Sequence, residues 1–196
     1  MTRPLRRAGG AIAAALVLSL AAGGCSGSDG GSGPSAAPAS SGTPDDHTVQ
    51  TRVSYGTVTG KLAPDVRRRL ATQIGDVVDG WTQAAYLGGD YPRRDFSDAW
   101  PGFTAGAQEE AHGDRALMSN EDIGERIDGV DPHKSTVRLD VLAVKQHPVG
   151  VTARVFLGFG TTGDLEREVR VRGRLFLTYT DGAWKVFGYD VTKGAA

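Results

Sequence analysis

The hydrophobic pattern of this chain changes its period once, and that change limits the folds that the chain can adopt. After Pro64, apolar residues recur at steps of three and four, which is typical of one face of an amphipathic helix. The stripe consists of Val66, Leu70, Ile74, Val77, Val78, Trp81, Ala84 and Ala85. From Thr136 onward, apolar and polar residues alternate, as they do in strands that are buried on one side. Helices followed by strands predict an α+β fold.

Turn-forming residues divide the alternating region into strands. An earlier strand is predicted from Val49 to about Thr59, and a short helix from Phe103 to Met118. The polar segment Ser119 to Lys134 carries no pattern that predicts structure. The predicted turns are His147–Gly150, residues 158–164 and Asp181-Gly182. We therefore expect a long N-terminal helix and short helices packed on a curled antiparallel sheet of about four to five strands.

The first 25 residues have the composition of an export signal. Arg3, Arg6 and Arg7 form a basic start, and an apolar run from Ala11 to Ala22 follows. This run is too short for a permanent membrane helix, which needs roughly 20 apolar residues. Small residues then lead to Cys25, the single cysteine of the chain. We interpret residues 1–24 as a signal peptide.

The segment that ends at Cys25 resembles the lipobox of bacterial lipoproteins, although Ala22 stands where that motif most often has leucine. The resemblance implies that the Cys25 thiol receives diacylglycerol and that the cleaved chain stays on the membrane, outside the cytoplasm. Two acyl chains hold a protein on a bilayer far more firmly than one. The alternative is an ordinary secretory signal cut near Ala22, which would leave Cys25 as a free thiol.

Residues 25–46 form a tether, and residues 47–196 form one folded domain. Between Ser26 and Asp46 there is no aromatic residue and no Val, Ile, Leu or Met, so this segment cannot build a core. As a flexible linker it would span about 25 Å. The chain has 22 basic and 23 acidic residues, and this balance excludes the strongly basic character of a nucleic-acid-binding protein.

The domain resembles the NTF2-like (SnoaL-like, cystatin-like cone) superfamily. The resemblance covers about residues 48–193 and depends on the helix at 64–87, the short helices and the closing strand with its Asp181-Gly182-x-Trp184-Lys185-Val186 pattern, which is also similar to Mce-associated proteins. It implies a conical sheet closed by an inward Trp184, and this fold hosts enzymes, binding proteins and assembly modules. The predicted lining of the core or pocket is Trp81, Val155, Leu157, Leu175 and Trp184.

Few side chains qualify for catalysis in such a cone. An enzyme of this type needs an acid or base in the pocket, and the candidates at its mouth are Tyr91, Asp95, Asp98 and His112. The inward strand positions offer neither histidine nor carboxylate, so we predict no catalytic residue. The acidic segment with Asp122, Glu125, Asp128, Asp131 and His133 matches no metal-binding spacing and is interpreted as a solvated loop. We predict no metal and no cofactor.

Arginines recur at the outward positions of the predicted strands. They are Arg138, Arg154, Arg170, Arg172 and Arg174, interrupted by Asp140 and Glu168, with Phe156 and Phe176 among them. Arg154, Arg170, Arg172 and Arg174 form a candidate partner face. The simpler interpretation is the soluble side of an antiparallel sheet, because polar residues are expected there.

These features predict a lipid-anchored lipoprotein that faces outside the cytoplasm. Its domain would bind a small apolar ligand or a protein partner of the cell envelope, without catalysis and without nucleic acid. The alternatives are a SnoaL-like envelope enzyme and an accessory subunit of an envelope transport or assembly complex. The sequence leaves the oligomeric state open.

Overall fold

The computed structural model describes residues 49–195, which contain five strands and several helices. The predicted signal peptide, Cys25 and the tether lie outside the described residues. The strands are β1 (Arg52–Thr59), β2 (Gly129–Val144), β3 (His147–Thr162), β4 (Arg167–Thr180) and β5 (Ala183–Ala195). The helices are α1 (Pro64–Thr82), α2 (Ala105–Gly113) and α3 (Arg115–Met118), with a 3₁₀ turn at Gly124–Arg126. The class is α+β, as the change of period predicts.

The helix α1 occupies the region of the apolar stripe. Proline suits its first position, since the N–H that proline lacks would have no partner within the helix. One π-helical turn, Gln83–Leu87, continues α1 and ends at Gly88, whose N–H donates to the Gln83 carbonyl at 2.7 Å. The face that contains Leu70, Ile74 and Trp81 is buried.

The sheet is mixed, with the order β1-β2-β3-β4-β5. β1 runs parallel to β2, whereas the other three neighbouring pairs are antiparallel. The expectation of a wholly antiparallel sheet is therefore wrong. The reason is the connection, because all the helices lie between β1 and β2 and carry the chain back to the end where β1 began.

Two of the predicted turns lie wholly or largely within β3, because residues 147–150 and 158–162 belong to that strand. His147–Gly150 is part of β3, and the turn is formed by Lys145 and Gln146, both with positive φ (49° and 67°). Such a two-residue turn matches the twist of its flanking strands, and Pro148 is tolerated where the β2–β3 register shifts. β2 begins at Gly129, so the interpretation of the acidic segment as a solvated loop is wrong for Asp131 and His133, which lie in this strand.

The hydrophobic core lies between the helices and one face of the sheet, which we call the inner face. Its largest fully buried side chains include Trp81, Tyr86 and Phe159. Trp81 meets Tyr86 edge-on, with ring centroids 5.5 Å apart. The opposite side of the sheet, which we call the outer face, carries exposed side chains such as Arg138, Arg154 and Arg174.

Candidate functional site

The residues predicted to line a core or pocket all lie in the core. Trp81, Val155, Leu157, Leu175 and Trp184 are between 0% and 7% exposed. Polar groups at the helical side of this core bind backbone atoms. The indole N–H groups of Trp81 and Trp100 both donate to the Met118 carbonyl, each at 3.2 Å. These polar groups therefore stabilise the packing of the helices and point to no ligand.

Tyr91 belongs to a network that holds the loop after α1. Its hydroxyl donates to the Tyr86 carbonyl at 2.8 Å and accepts from Asn120 Nδ2 at 3.1 Å. Burial raises the pKa of the Tyr91 phenol, although the hydrogen bond from Asn120 and the charge of Arg93 oppose this effect. Tyr91 thus keeps its proton in a structural hydrogen bond.

Asp98 and His112 line one groove of about 690 Å³ between the 97–101 loop and α2. Trp100 and Glu109 also contribute to its wall, and the His112 ring lies 5.7 Å from the Trp100 ring. Tyr91 is not among the residues that line this groove. The structure therefore brings Asp98 and His112 together, whereas the other two catalytic candidates, Tyr91 and Asp95, do not line this groove.

Three of the remaining acidic residues form hydrogen bonds or ion pairs. Asp95 Oδ1 accepts from the Ser97 N–H at 2.9 Å, and this hydrogen bond lowers the pKa of Asp95. Glu125 pairs with Arg94 at 2.7 Å, and Asp122 pairs with Lys193. Within residues 49–195, no group of three or more His, Cys, Asp or Glu side chains is arranged to hold a metal ion.

Lys193 is a buried charge that the sequence pattern did not reveal. Its side chain is 5% exposed, and its ammonium donates to the Ser119 carbonyl at 2.7 Å, to the Ala116 carbonyl at 3.0 Å and to Asp122. Burial lowers the pKa of Lys193, and Asp122 opposes that shift. The lysine attaches β5 to α3 and to the residues that follow it.

The strand register gathers the arginines on the outer face. Arg154 lies opposite Arg138 on one side and opposite Arg174 on the other. Arg172 lies opposite Phe156, and Arg170 lies opposite Gly158. Residues that lie opposite one another on neighbouring strands form rows across the sheet. We call the outward basic side chains of these rows the arginine face, and they are Arg52, Lys134, Arg138, Arg154, Arg170, Arg172 and Arg174.

Two carboxylates neutralise part of the arginine face. Asp140 Oδ2 accepts from Arg154 Nε at 2.6 Å and its Oδ1 accepts from the Thr57 N–H at 2.9 Å. The Thr57 N–H and, next, the Arg154 guanidinium lower the pKa of Asp140. Asp190 pairs with Arg174. Among the described residues, Arg138, Arg170 and Arg172 form no ion pair within 4.0 Å.

An apolar groove of about 340 Å³ adjoins the arginine face on the same side of the sheet. Leu142, Phe176 and Phe187 line it, together with Thr57, Thr59 and Thr152. Leu142 and Phe187 are 50% and 54% exposed. The outward position of Phe187 depends on a register shift between β4 and β5, after which Phe187 lies 6.4 Å from the Phe176 ring.

Comparison of the chain with protein-family models, with curated proteins and with solved structures finds no match. Among residues 49–195, no helix has both the length and the hydropathy needed to cross a membrane.

Proposed function

We propose that this chain is a lipid-anchored lipoprotein outside the cytoplasm, with a C-terminal domain that binds and does not catalyse. The basic start, the short apolar run and the lipobox-like segment ending at Cys25 support the anchor. Two acyl chains on Cys25 would retain the protein at the membrane. We also propose that the domain has an NTF2-like cone, and the helices on one side of a five-stranded sheet support this.

The observation that carries the binding role is the outer face, where the arginine face and the apolar groove lie side by side. Concave apolar surfaces with a few polar groups are typical of ligand sites, and arginine and aromatic residues are enriched at protein interfaces. The interior is a weaker candidate for a binding site, because its predicted lining residues are packed into the core. We therefore assign the small apolar ligand or the envelope protein partner to the outer face.

Replacing Cys25 tests the anchor. We expect Cys25→Ser to abolish labelling with a palmitate analogue and to move the protein from the membrane fraction to the soluble fraction, because a serine at this position receives no diacylglycerol. Replacing Ser26 with alanine is the matched control and should leave both unchanged. Unchanged palmitate labelling of the Cys25→Ser protein, or its retention on membranes washed with about 1 M salt, which screens surface charge, would contradict the proposed anchor.

Photo-crosslinking in cells tests the binding surface. A photoreactive residue in place of Phe187 should form adducts, whereas the same residue in place of Arg68, which is exposed on α1, should form none. Equal crosslinking at both positions would contradict a binding role for the outer face.

The groove with Asp98 and His112 supports a second candidate, a SnoaL-like acid–base enzyme, since two ionisable side chains share one opening. Complementation of a strain that requires this protein tests this candidate. If the protein is an enzyme, the Asp98→Asn variant and the His112→Gln variant should each fail to complement although they fold. A module that binds through its outer face would tolerate both changes.

A further inference from the structure

The charge of the domain is distributed unevenly between the arginine face and the rest of its surface. The rows that form the arginine face hold its seven basic side chains and the carboxylates of Asp140 and Asp190. The other described residues hold 12 basic and 18 acidic side chains, and two of these acidic ones, Asp131 and Glu168, lie in the next row on the same side of the sheet. A domain with nearly balanced total charge therefore presents one strongly positive side, which would turn toward an anionic surface.

The unpaired members of the arginine face are accessible. Arg138, Arg170 and Arg172 are exposed and, among the described residues, have no carboxylate within 4.0 Å. Lys134 is exposed as well, and its ammonium lies 5.0 Å from the centre of the Phe156 ring. These cations are available to an anionic partner without breaking an internal ion pair.

Apolar side chains border the same face at the end formed by the β2–β3 hairpin. Leu142, Val144 and Phe187 are each about half exposed, at 50%, 51% and 54%. A surface that combines basic residues with exposed apolar ones matches the interface of a bilayer, where phosphates lie beside the first methylenes of the acyl chains.

The first strand of the domain is the edge strand β1, and its first residue belongs to the arginine face. β1 begins at Arg52, which pairs with Thr136 in the row that also contains Phe156 and Arg172. A flexible tether of the predicted length spans about 25 Å, so an anchor at Cys25 would keep the domain close to the membrane. Because anchoring makes the second contact intramolecular, even weak attraction would be sufficient to orient the domain.

We propose that the outer face lies against the anionic phospholipid surface of the membrane that holds the anchor. This inference rests on the proposed lipid anchor and on the binding role of the outer face, and it assigns that face to the lipid surface in place of a small ligand or a protein. The arginine face contacts lipid phosphates, and Leu142, Val144 and Phe187 reach the boundary of the acyl chains. The helical side of the domain faces away from the membrane.

Vesicle flotation tests the proposal with the lipid-free chain that starts at Ser26, which retains the complete core of residues 49–195. We expect it to float with vesicles of phosphatidylcholine and phosphatidylglycerol, and not with vesicles of phosphatidylcholine alone. Binding should fall as salt rises from about 0.1 M to about 1 M, because the Debye length shortens from about 10 Å to about 3 Å.

Charge reversal locates the contact. Arg170→Glu combined with Arg172→Glu should lower partition into anionic vesicles at least tenfold, because each basic residue near an anionic surface contributes about fivefold. Lys61→Glu combined with Arg68→Glu makes the same charge change at exposed positions next to and within α1, and it should have little effect. Circular dichroism establishes that both variants fold, and Arg138→Glu on β2 replaces the first pair if that pair does not.

Equal binding to neutral and anionic vesicles, or equal losses in the two double variants, would overturn the proposal. Absence of binding to anionic vesicles would also overturn it. If a photoreactive residue at position 187 then crosslinks to an envelope protein, and the crosslink is lost in the Arg170→Glu and Arg172→Glu variant, the face is assigned to a protein partner. The vesicle assay contains no acyl anchor, so its result is independent of the Cys25→Ser test.

Discussion

The inner and outer faces of the sheet are formed by the same strands but differ in what their side chains contact. On the inner face, Val155, Leu157 and Leu175 are buried against other apolar groups. On the outer face, their neighbours Arg154 and Arg174 are exposed and carry charge. The difference shows that stability resides mainly on the inner face, and that the outer face can serve binding at little cost to the fold.

The largest difference in stability is expected between substitutions of two aromatic residues, one on each face of the sheet. Trp81→Ala should lower the free energy of unfolding by about 3–5 kcal/mol, because it leaves a cavity in the core and removes the hydrogen bond to the Met118 carbonyl. Phe187→Ala on the outer face should change it by less than about 1 kcal/mol. Urea unfolding of both variants measures the contrast, and similar losses would show that the outer face is also part of the core.

A smaller contrast is expected between two glycines in strands. A Cβ at Gly173, which lies between the buried Val155 and Val191 in the register, would stand 2.1 Å from the Asp190 carbonyl oxygen. Gly173→Ala should therefore destabilise the domain by about 1–3 kcal/mol, since β5 would have to shift. Gly150 has open space around its Cβ position, and Gly150→Ala should remain within about 0.5 kcal/mol. Thermal unfolding would contradict this if the order of the two effects were reversed.

The smallest effect concerns the outer-face carboxylate Asp140. Its pKa is lower in the folded protein, so its hydrogen bonds stabilise the fold above the usual pKa of aspartate, and this contribution disappears as the pH falls through the folded pKa. Asp140→Asn should therefore lower stability at pH 7 by less than about 1 kcal/mol, because solvent screens the pair with Arg154. The difference from the wild type should shrink at about pH 3, where the free aspartate is largely protonated. A melting-temperature difference that stays constant between these pH values would contradict the assignment.

Periodic features of the sequence predicted much of the fold. The stripe from Val66 to Ala85 matches α1 and its π-helical extension, and alternation after Thr136 matches the strands. The parallel pairing of β1 escaped prediction because alternation does not reveal strand direction. The turn at Lys145 and Gln146 was missed because neither residue is one that typically adopts positive φ.

The candidate site was predictable only in part. Alternation placed Arg154, Arg170, Arg172 and Arg174 on one side of the strands, but register was needed to show which of them are neighbours. The apolar groove depends on the outward orientation of Phe187, which a one-residue register shift between β4 and β5 produces. Local sequence patterns do not predict such a shift. Burial of Lys193 depends on contacts with residues more than 70 positions earlier in the chain, which local sequence patterns do not contain.

The parallel pairing of β1 with β2 has a mechanical consequence for a chain held at its amino-terminal end. Tension transmitted through the preceding segment would pull β1 along its own axis, toward the end of the sheet where β2 begins. The hydrogen bonds that join β1 (Arg52–Thr59) to β2 would then be loaded together in shear. They would not open one after another, as they do when a strand is peeled from the edge of a sheet. The domain would resist detachment of its first strand for as long as that row of bonds shares the force.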